Sequence, residues 1–473
     1  MSLNPFVNMK KNICRILLVA TVLILCQPLM AQTGPGTEAP GGSPFDLKGC
    51  VGYALRNNEK LCKDKLGLET ARQSRREIIG ALLPQISGQA GLTRNIDKTT
   101  IAMPNFVNSM MPEPMRDPNA PKYMTVTMGM DWTANWGAAI AQQLVNFSLF
   151  NAVKIADAAD EMAKLGVEAS TEDIISQTAL IYYNAQVLEY ALGKFDESLE
   201  LMSKTLRMLE INRDNGLVRS VDVGQVQVQK TNLETEKLGL ERALEVQKNL
   251  LKLQMGFPME DAITLQPIDL DAVESMVLSK SAKGLEVESQ TPFRLLKNQQ
   301  DMLGLQVKAA KYELLPVLNL TANYSMNYMG DQFKGETFHK FPMSMVSLNL
   351  RVPIFGGFSK DAKIKKAQIE LQKARFDEKA LTQALSMAYS NSLMQLDQTR
   401  KTIDTQHRNK ELAQEVFDVT ENNYNEGISS LSDLLNASSS LIKSQMNYVS
   451  ALGDSIKAYI DLKKAEGTIR DLQ

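Results

Sequence analysis

Residues able to do covalent or metal chemistry are few in this chain of 473: two histidines, His339 and His407, and four cysteines, Cys14, Cys26, Cys50 and Cys62. They supply neither a histidine-based triad nor a zinc-binding pair, and no P-loop or Gly-x-Ser-x-Gly nucleophile turn occurs. Catalysis and cofactors are therefore not expected. The segment from Asn95 to Asp131 holds seven methionines, among them Met103, Met110, Met111 and Met115, and five prolines. Thioethers hold soft metals such as Cu(I), but so many prolines point to a flexible surface loop, and no metal site is assigned. Cys50 and Cys62 are separated by twelve residues. On one continuous helix that is about 18 Å, beyond disulfide reach. A helix break at Asn57-Asn58 would admit a Cys50–Cys62 bridge; otherwise the two are half-buried thiols on a helix–turn–helix.

Elements positioning any site must come from the composition. Lys plus Arg number 52 against 54 Asp plus Glu, so no broad basic surface exists for nucleic acid. With 44% hydrophobic but 6% aromatic residues, 27 Gly and 17 Pro, the chain suits long helices packed through narrow apolar seams. The first 31 residues read as an address. Lys10-Lys11-Asn12 forms a basic start, Ile13 to Leu25 an apolar run too short to span a bilayer, and Leu29-Met30-Ala31 a cleavage site before Gln32. A lipoprotein signal ending at Cys26 is disfavoured by the bulky Leu25 before it. Loss of residues 1–31 removes Lys10, Lys11 and Arg15 and no acid, leaving 49 bases, 54 acids and a net charge of −5. Residues 32–44 are then a flexible Pro/Gly-rich segment. No later apolar stretch reaches 18 residues, so the exported chain is periplasmic, secreted, or held in an outer membrane by strands.

Apolar residues recur every seven positions through Ile174, Ile181, Leu188, Phe195, Met202 and Leu209, with a second column of Thr178, Ala185, Leu192, Leu199 and Leu206. These are coiled-coil positions. Leu435, Ile442, Val449 and Ile456, with Leu431, Leu452 and Tyr459, repeat the pattern near the C-terminus. The chain also repeats itself. Asn215-Gly216-Leu217 recurs as Glu426-Gly427-Ile428, Asp222 as Asp433 and Gly256 as Gly467, all 211 residues apart. This gives a first structural repeat over 45–256, with a helix, a hairpin at 85–149 and long helices at 152–214 and 218–255. A connector at 257–291 follows. The second repeat covers 292–473, with a helix, a hairpin at 317–355 and long helices at 359–425 and 429–466.

After Pro316, Leu318, Leu320, Ala322, Tyr324, Met326 and Tyr328 alternate with Asn319, Thr321, Asn323, Ser325 and Asn327. Val346, Leu348, Leu350, Val352 and Ile354 then alternate with Ser347, Asn349 and Arg351. Such strands fit a membrane barrel around a wet lumen, or a half-buried sheet in a soluble domain. Export and very long helices favour the barrel. The first-half strands, Gln85 to Asn95 and Trp136 to Leu149, alternate less cleanly, with Gln143 expected on the lipid face. Trp132, Trp136, Tyr123, Tyr328, Phe338 and Phe341 suit an interfacial girdle. Four strands cannot close alone, because single-chain barrels start at about eight and open edges are costly in hydrocarbon. Three chains would supply twelve. The expected class is mainly α with a small β part, a long antiparallel coiled-coil helical barrel plus four transmembrane strands per chain, and an internal two-fold repeat.

This pattern resembles the TolC-like outer membrane factors from about Phe45 to Gly467. The carriers are Leu-Leu-Pro-Gln-Ile-Ser opening one hairpin, Leu-Arg-Val-Pro-Ile-Phe-Gly-Gly closing the other, and the paired glycine turns. The resemblance implies a homotrimeric duct in the outer membrane of a Gram-negative cell, with helices in the periplasm and a small equatorial domain. Its implied partners are a periplasmic adaptor (membrane fusion protein), an inner-membrane transporter and outer membrane lipid. It assigns adaptor docking to Gly216, Leu217 and Val218 and to Gly427, Ile428 and Ser429. Asp433 matches a lumen-facing carboxylate that would form a cation-favouring ring. Tyr424 and Asp222 match partners of a closing hydrogen bond. Asn436 stands where a second acid occurs in the family, and Ser429 where an arginine completes the lock, which leaves residues such as Arg219 to build it. The alternative is a periplasmic coiled-coil adaptor or envelope scaffold, which predicts one hairpin and no lipid-facing strands.

Overall fold

The computed structural model describes residues 44–278, 284–332 and 338–473; the signal segment and nearly all of 32–44 lie outside them. The chain runs α1 (Leu47–Asn57), α2 (Glu59–Gly80), β1 (Gln85–Arg94), β2 (Thr99–Pro104), α3 (Phe106–Met110), β3 (Tyr123–Met128), β4 (Trp132–Val145) and α4 (Phe147–Asp214). It continues through α5 (Ser220–Met255), α6 (Leu270–Leu278), α7 (Thr291–Tyr312), β5 (Val317–Gly330), β6 (His339–Arg351), α8 (Ser359–Asn425) and α9 (Leu431–Ala465). Two compact units result. One, Arg76–Val153 with Lys308–Ile364, holds the strands; the other holds the described residues up to Arg75, Lys154–Val307 and Lys365–Gln473.

In the helical unit the seven-residue columns become the core. Ile174, Phe195, Met202 and Leu209 of one column and Thr178, Ala185 and Leu206 of the other are buried. On α9, Ile442, Val449, Leu452 and Ile456 are likewise buried. Short α6 lies inside the expected connector. Its Val273 and Val277 join the same apolar cluster as Tyr448, Leu452 and Ile456. The Tyr448 hydroxyl donates to Glu274 Oε1 at 2.5 Å, and Arg400 Nε donates to the Val277 carbonyl at 2.7 Å. A buried phenol satisfied in this way fixes α6 against α9 by direction as well as by area.

The break at Asn57-Asn58 forms, because extended Asn58 ends α1 and its side-chain oxygen accepts from the Leu61 amide of α2 at 3.1 Å. The bridge it would admit does not form: Cys50 and Cys62 are free thiols. Cys50 packs with Tyr182, Leu251 and Met255, and burial, followed by the charge of Asp46, pushes its pKa up to about 12. Cys62 instead donates its thiol to the Arg56 carbonyl at 3.7 Å. The same break receives the end of α5. Asn58 Nδ2 donates to the Gln254 carbonyl at 2.7 Å, and Gly256 caps α5 at φ 69°. A Cβ there would lie 2.5 Å from the Asn57 carbonyl oxygen. Gly256→Ala therefore combines left-handed strain of roughly 1–2 kcal/mol with a main-chain clash. Its thermal midpoint should fall, while Gly67→Ala, with nothing within 4 Å of the added carbon, should not lower it.

In the strand unit the sheet is antiparallel, ordered β1-β4-β5-β6. Directly paired residues share a face, so the register sorts the side chains. Ile86, Ala90 and Leu92 pair with Ile140, Trp136 and Ala134. These in turn pair with Ala322, Met326 and Tyr328, and Leu318, Leu320 and Ala322 pair with Leu350, Leu348 and Val346. Gln85, Ser87, Gln89 and Thr93 line the other face, followed by Asn135 against Asn327 and by Asn319 and Thr321 against Asn349 and Ser347.

Gln143 opposes Asn319 and so belongs to the polar face, correcting the expectation that it meets the apolar one. The register shifts between Gln143 and Val145, so counting back by twos from Val145 crosses a bulge and misplaces Gln143, while its neighbour Gln142, opposite Leu320, is the glutamine on the apolar face. Two of the expected girdle aromatics also move. Phe341 pairs with Asn327 on the polar face, and Tyr123 stands outside the sheet, opposite Pro104 in the separate β2–β3 ribbon. That ribbon replaces the expected structureless loop, with Met103 opposite Met124 and Ile101 opposite Val126. Lys98 anchors its base by reaching Asp131 at 3.0 Å and Asp331 at 2.8 Å.

Candidate functional site

The two glycine turns are built alike. At the end of α4, Gly216 at φ 76° donates its amide to Arg213 O, and Leu217 donates to Asn212 O, both at 2.8 Å. At the end of α8, Gly427 at φ 78° donates to Tyr424 O at 3.0 Å and Ile428 to Asn423 O at 2.8 Å. Both are left-handed helix stops of the kind glycine permits without strain. Satisfying the last carbonyls this way leaves the next side chain outside the helix. Leu217 is 75% and Ile428 71% exposed, the reverse of what apolar burial favours.

Val218 and Ser429 differ from them. Val218 is half-buried against the cluster of Leu206, Leu209, Val223 and Val226, which Tyr424 and Leu431 also join, so it anchors its turn from inside. Ser429 is partly covered and donates its amide to Asn423 O at 3.2 Å.

The helix starts that follow use their acids differently. Arg219 grips Asp222 with two hydrogen bonds, Nε to Oδ2 at 3.0 Å and Nη2 to Oδ1 at 2.9 Å. That bond holds the Asp222 carboxyl below its ordinary range and the guanidinium above its own. Tyr424 is half-buried beside this pair; burial, then the charge of Asp222, pushes its phenol upward. Asp222 is thus engaged by Arg219 within its own turn.

Asp433 closes a capping box. Its amide donates to Ser430 Oγ at 3.2 Å, while its Oδ2 accepts from the Ser430 amide at 3.0 Å and hydroxyl at 2.6 Å. The hydroxyl and then the amide hold its pKa down. Asn436 lies exposed one turn further along α9. A carboxyl with a lowered folded pKa contributes stability that is complete above the unfolded value of 3.8 and is lost as pH falls through the lower folded value. Amide protection in the first turn of α9, taken relative to the intrinsic exchange rate at each pH, should therefore fall on acidification below that value. In Asp433→Asn that protection should be lower at neutral pH and should lack the fall at acid pH.

Sequence reasoning located the turns but missed the capping box, although Ser430 and Asp433 stand at its spacing. It also missed the Arg219–Asp222 clasp as a contact within one turn. Among the described residues, no group of three or more His, Cys, Asp or Glu gathers as for a metal ion, and no helix is long and apolar enough to cross a membrane.

Residues 297–468 match the family described as outer membrane efflux protein. The outer membrane efflux protein BepC of Brucella suis biovar 1 (strain 1330) is 22% identical over 453 residues, covering 94% of this chain and 91% of that protein. The outer membrane protein TolC of Escherichia coli (strain K12) is 21% identical over 347 residues, covering 70% and 69%. In fold, the chain superposes on crystal structures of CusC with a TM-score of 0.71 at 17% identity, covering 89% of this chain and 91% of that one. On the open-state MtrE channel of Neisseria gonorrhoeae the TM-score is 0.68 at 17% identity, with 90% of each chain covered. The second half of the chain thus matches the outer membrane efflux protein family, and nearly the whole described chain shares its fold with solved outer membrane channels.

Proposed function

We propose that three copies of this chain close a twelve-stranded barrel in the outer membrane and continue as a helical duct through the periplasm. The duct receives substrates from an inner-membrane pump through a periplasmic adaptor and performs no catalysis. One observation carries the reading. The four-stranded sheet has an apolar face, an opposite face of amides and hydroxyls, and two unpaired edges, β1 and β6. Open edges in hydrocarbon leave main-chain groups unpaired, so a sheet with a lipid-fitted face needs neighbours at both edges. The repeated element order supports an internal two-fold repeat, with α4 and α8 of 68 and 67 residues and α5 and α9 of 36 and 35.

Leu217 and Ile428 supply the apolar contacts to the adaptor, with Gly216 and Gly427 shaping the turns and Val218 and Ser429 bracing them. Asp433 forms the carboxylate ring at the periplasmic mouth, and its capping box fixes where that charge sits. Tyr424, packed in one cluster with Val218 and Val223 beside the Arg219–Asp222 clasp, is the lock joining the turns. The adaptor or scaffold alternative lacks a use for a sheet with one apolar face. Purified protein added to a planar lipid bilayer should give discrete, cation-preferring conductance steps. A protein that leaves the bilayer silent would exclude the duct.

A further inference from the structure

The polar face of the sheet is interrupted at one place. Cross-strand pairing puts Phe341 opposite Asn327, Met343 opposite Ser325 and Met345 opposite Asn323. Those three β5 residues pair in turn with Asn135, Gly137 and Ala139 of β4. An apolar trio thus stands beside amides, a hydroxyl and small residues, and its side chains are about half exposed, at 50%, 48% and 48%.

On the other face at the same level, β6 carries Lys340, Pro342 and Ser344 opposite Tyr328, Met326 and Tyr324. The apolar residues of β6 therefore change sides between Met345 and Val346. The trio has not drifted to the lipid face, since its β5 and β4 neighbours remain polar or small throughout.

We infer that Phe341, Met343 and Met345 form an apolar collar inside the barrel, a selectivity-determining constriction for the cargo near its outer end. This rests on the trimeric barrel proposed above, in which three copies of the trio face one axis. In a lumen otherwise lined by amides and hydroxyls, such a ring disfavours water and hydrated ions, because an apolar constriction gates by dewetting. Unbranched thioethers repack around varied apolar surfaces, so the collar favours amphiphilic cargo with an aromatic or aliphatic part over small hydrophilic solutes.

The test uses the full-length trimer carrying Phe341→Ser, Met343→Ser and Met345→Ser together, reconstituted beside the wild type in planar bilayers. Single-channel KCl conductance should rise severalfold, and cells carrying the variant should discriminate less between ethidium and a small hydrophilic dye in efflux. An unchanged conductance with an intact trimer overturns the collar. Met343→Cys should react with a charged, membrane-impermeant thiol reagent, whereas Met326→Cys on the opposite face should be protected by lipid; the reverse pattern also overturns it. Micromolar silver that blocks wild type but not the Met343→Ser, Met345→Ser protein would reassign the thioethers to a soft metal and overturn the cargo role. Failure of the barrel itself reads differently, as a wild-type protein without conductance.

Discussion

Replacing Gly137 by valine is expected to abolish the assembled barrel while sparing the helical unit. Gly137 pairs with Ser325 of β5 and with Gln89 of β1, so it sits where β4 is flanked on both sides. A Cβ there would fall on the carbonyl oxygen of Tyr324, with Ser325 Cα at 2.9 Å. Main chain cannot rotate aside as a flexible side chain does. The cost therefore exceeds the roughly 1–3 kcal/mol of an overpacked side-chain contact, and the obstacle lies on the ladder joining the two hairpins. Extracted Gly137→Val protein should lose its oligomer on native gels but keep the far-ultraviolet helical signal. Gly80→Val, at a position with nothing within 4 Å of an added carbon, should assemble normally.

The second large effect is expected at the turns. Leu217→Asp with Ile428→Asp should stop export in cells without changing oligomer or conductance. Both residues are exposed and lie beyond the glycine hydrogen bonds that shape their turns, so acid at either position disturbs no core contact. Burying each in a partner would contribute about 1.5–3 kcal/mol, tenfold or more in affinity per side chain. A charge in an apolar contact reverses that gain. Retained export in a strain dependent on this protein would assign docking elsewhere. Val218→Asp is expected to behave differently, lowering stability because Val218 packs against the cluster of Leu209 and Val226.

Much of this was legible in the sequence because periodicity and glycine placement are local signals. The column through Ile174 and Leu209 becomes buried core, and the glycine turns end the helices where their spacing suggests. What was not legible depends on pairing. Counting back by twos from Val145 puts Gln143 on the wrong side because nothing in Gln142-Gln143-Leu144-Val145 announces a register shift. The same limit hid the exchange of faces on β6, visible only once Phe341 is set against Asn327. Prolines and methionines masked the β2–β3 ribbon, although Ile101 and Met103 alternate with smaller residues. Helix α6 could have been found, since Leu270, Val273 and Val277 recur at helical spacing and pack on α9. The free thiols follow from three-dimensional placement: the break brings the segments together, yet Cys50 turns into the core.

The central claim is that the open edges β1 and β6 are closed by further copies of the same chain. Native mass spectrometry of the protein extracted from outer membranes in mild detergent tests it most directly. The account predicts one dominant species at three times the mature chain mass, which falls to monomer in Gly137→Val. A wild-type protein that is monomeric under those conditions, or a dimer that leaves edges unpaired, would contradict it.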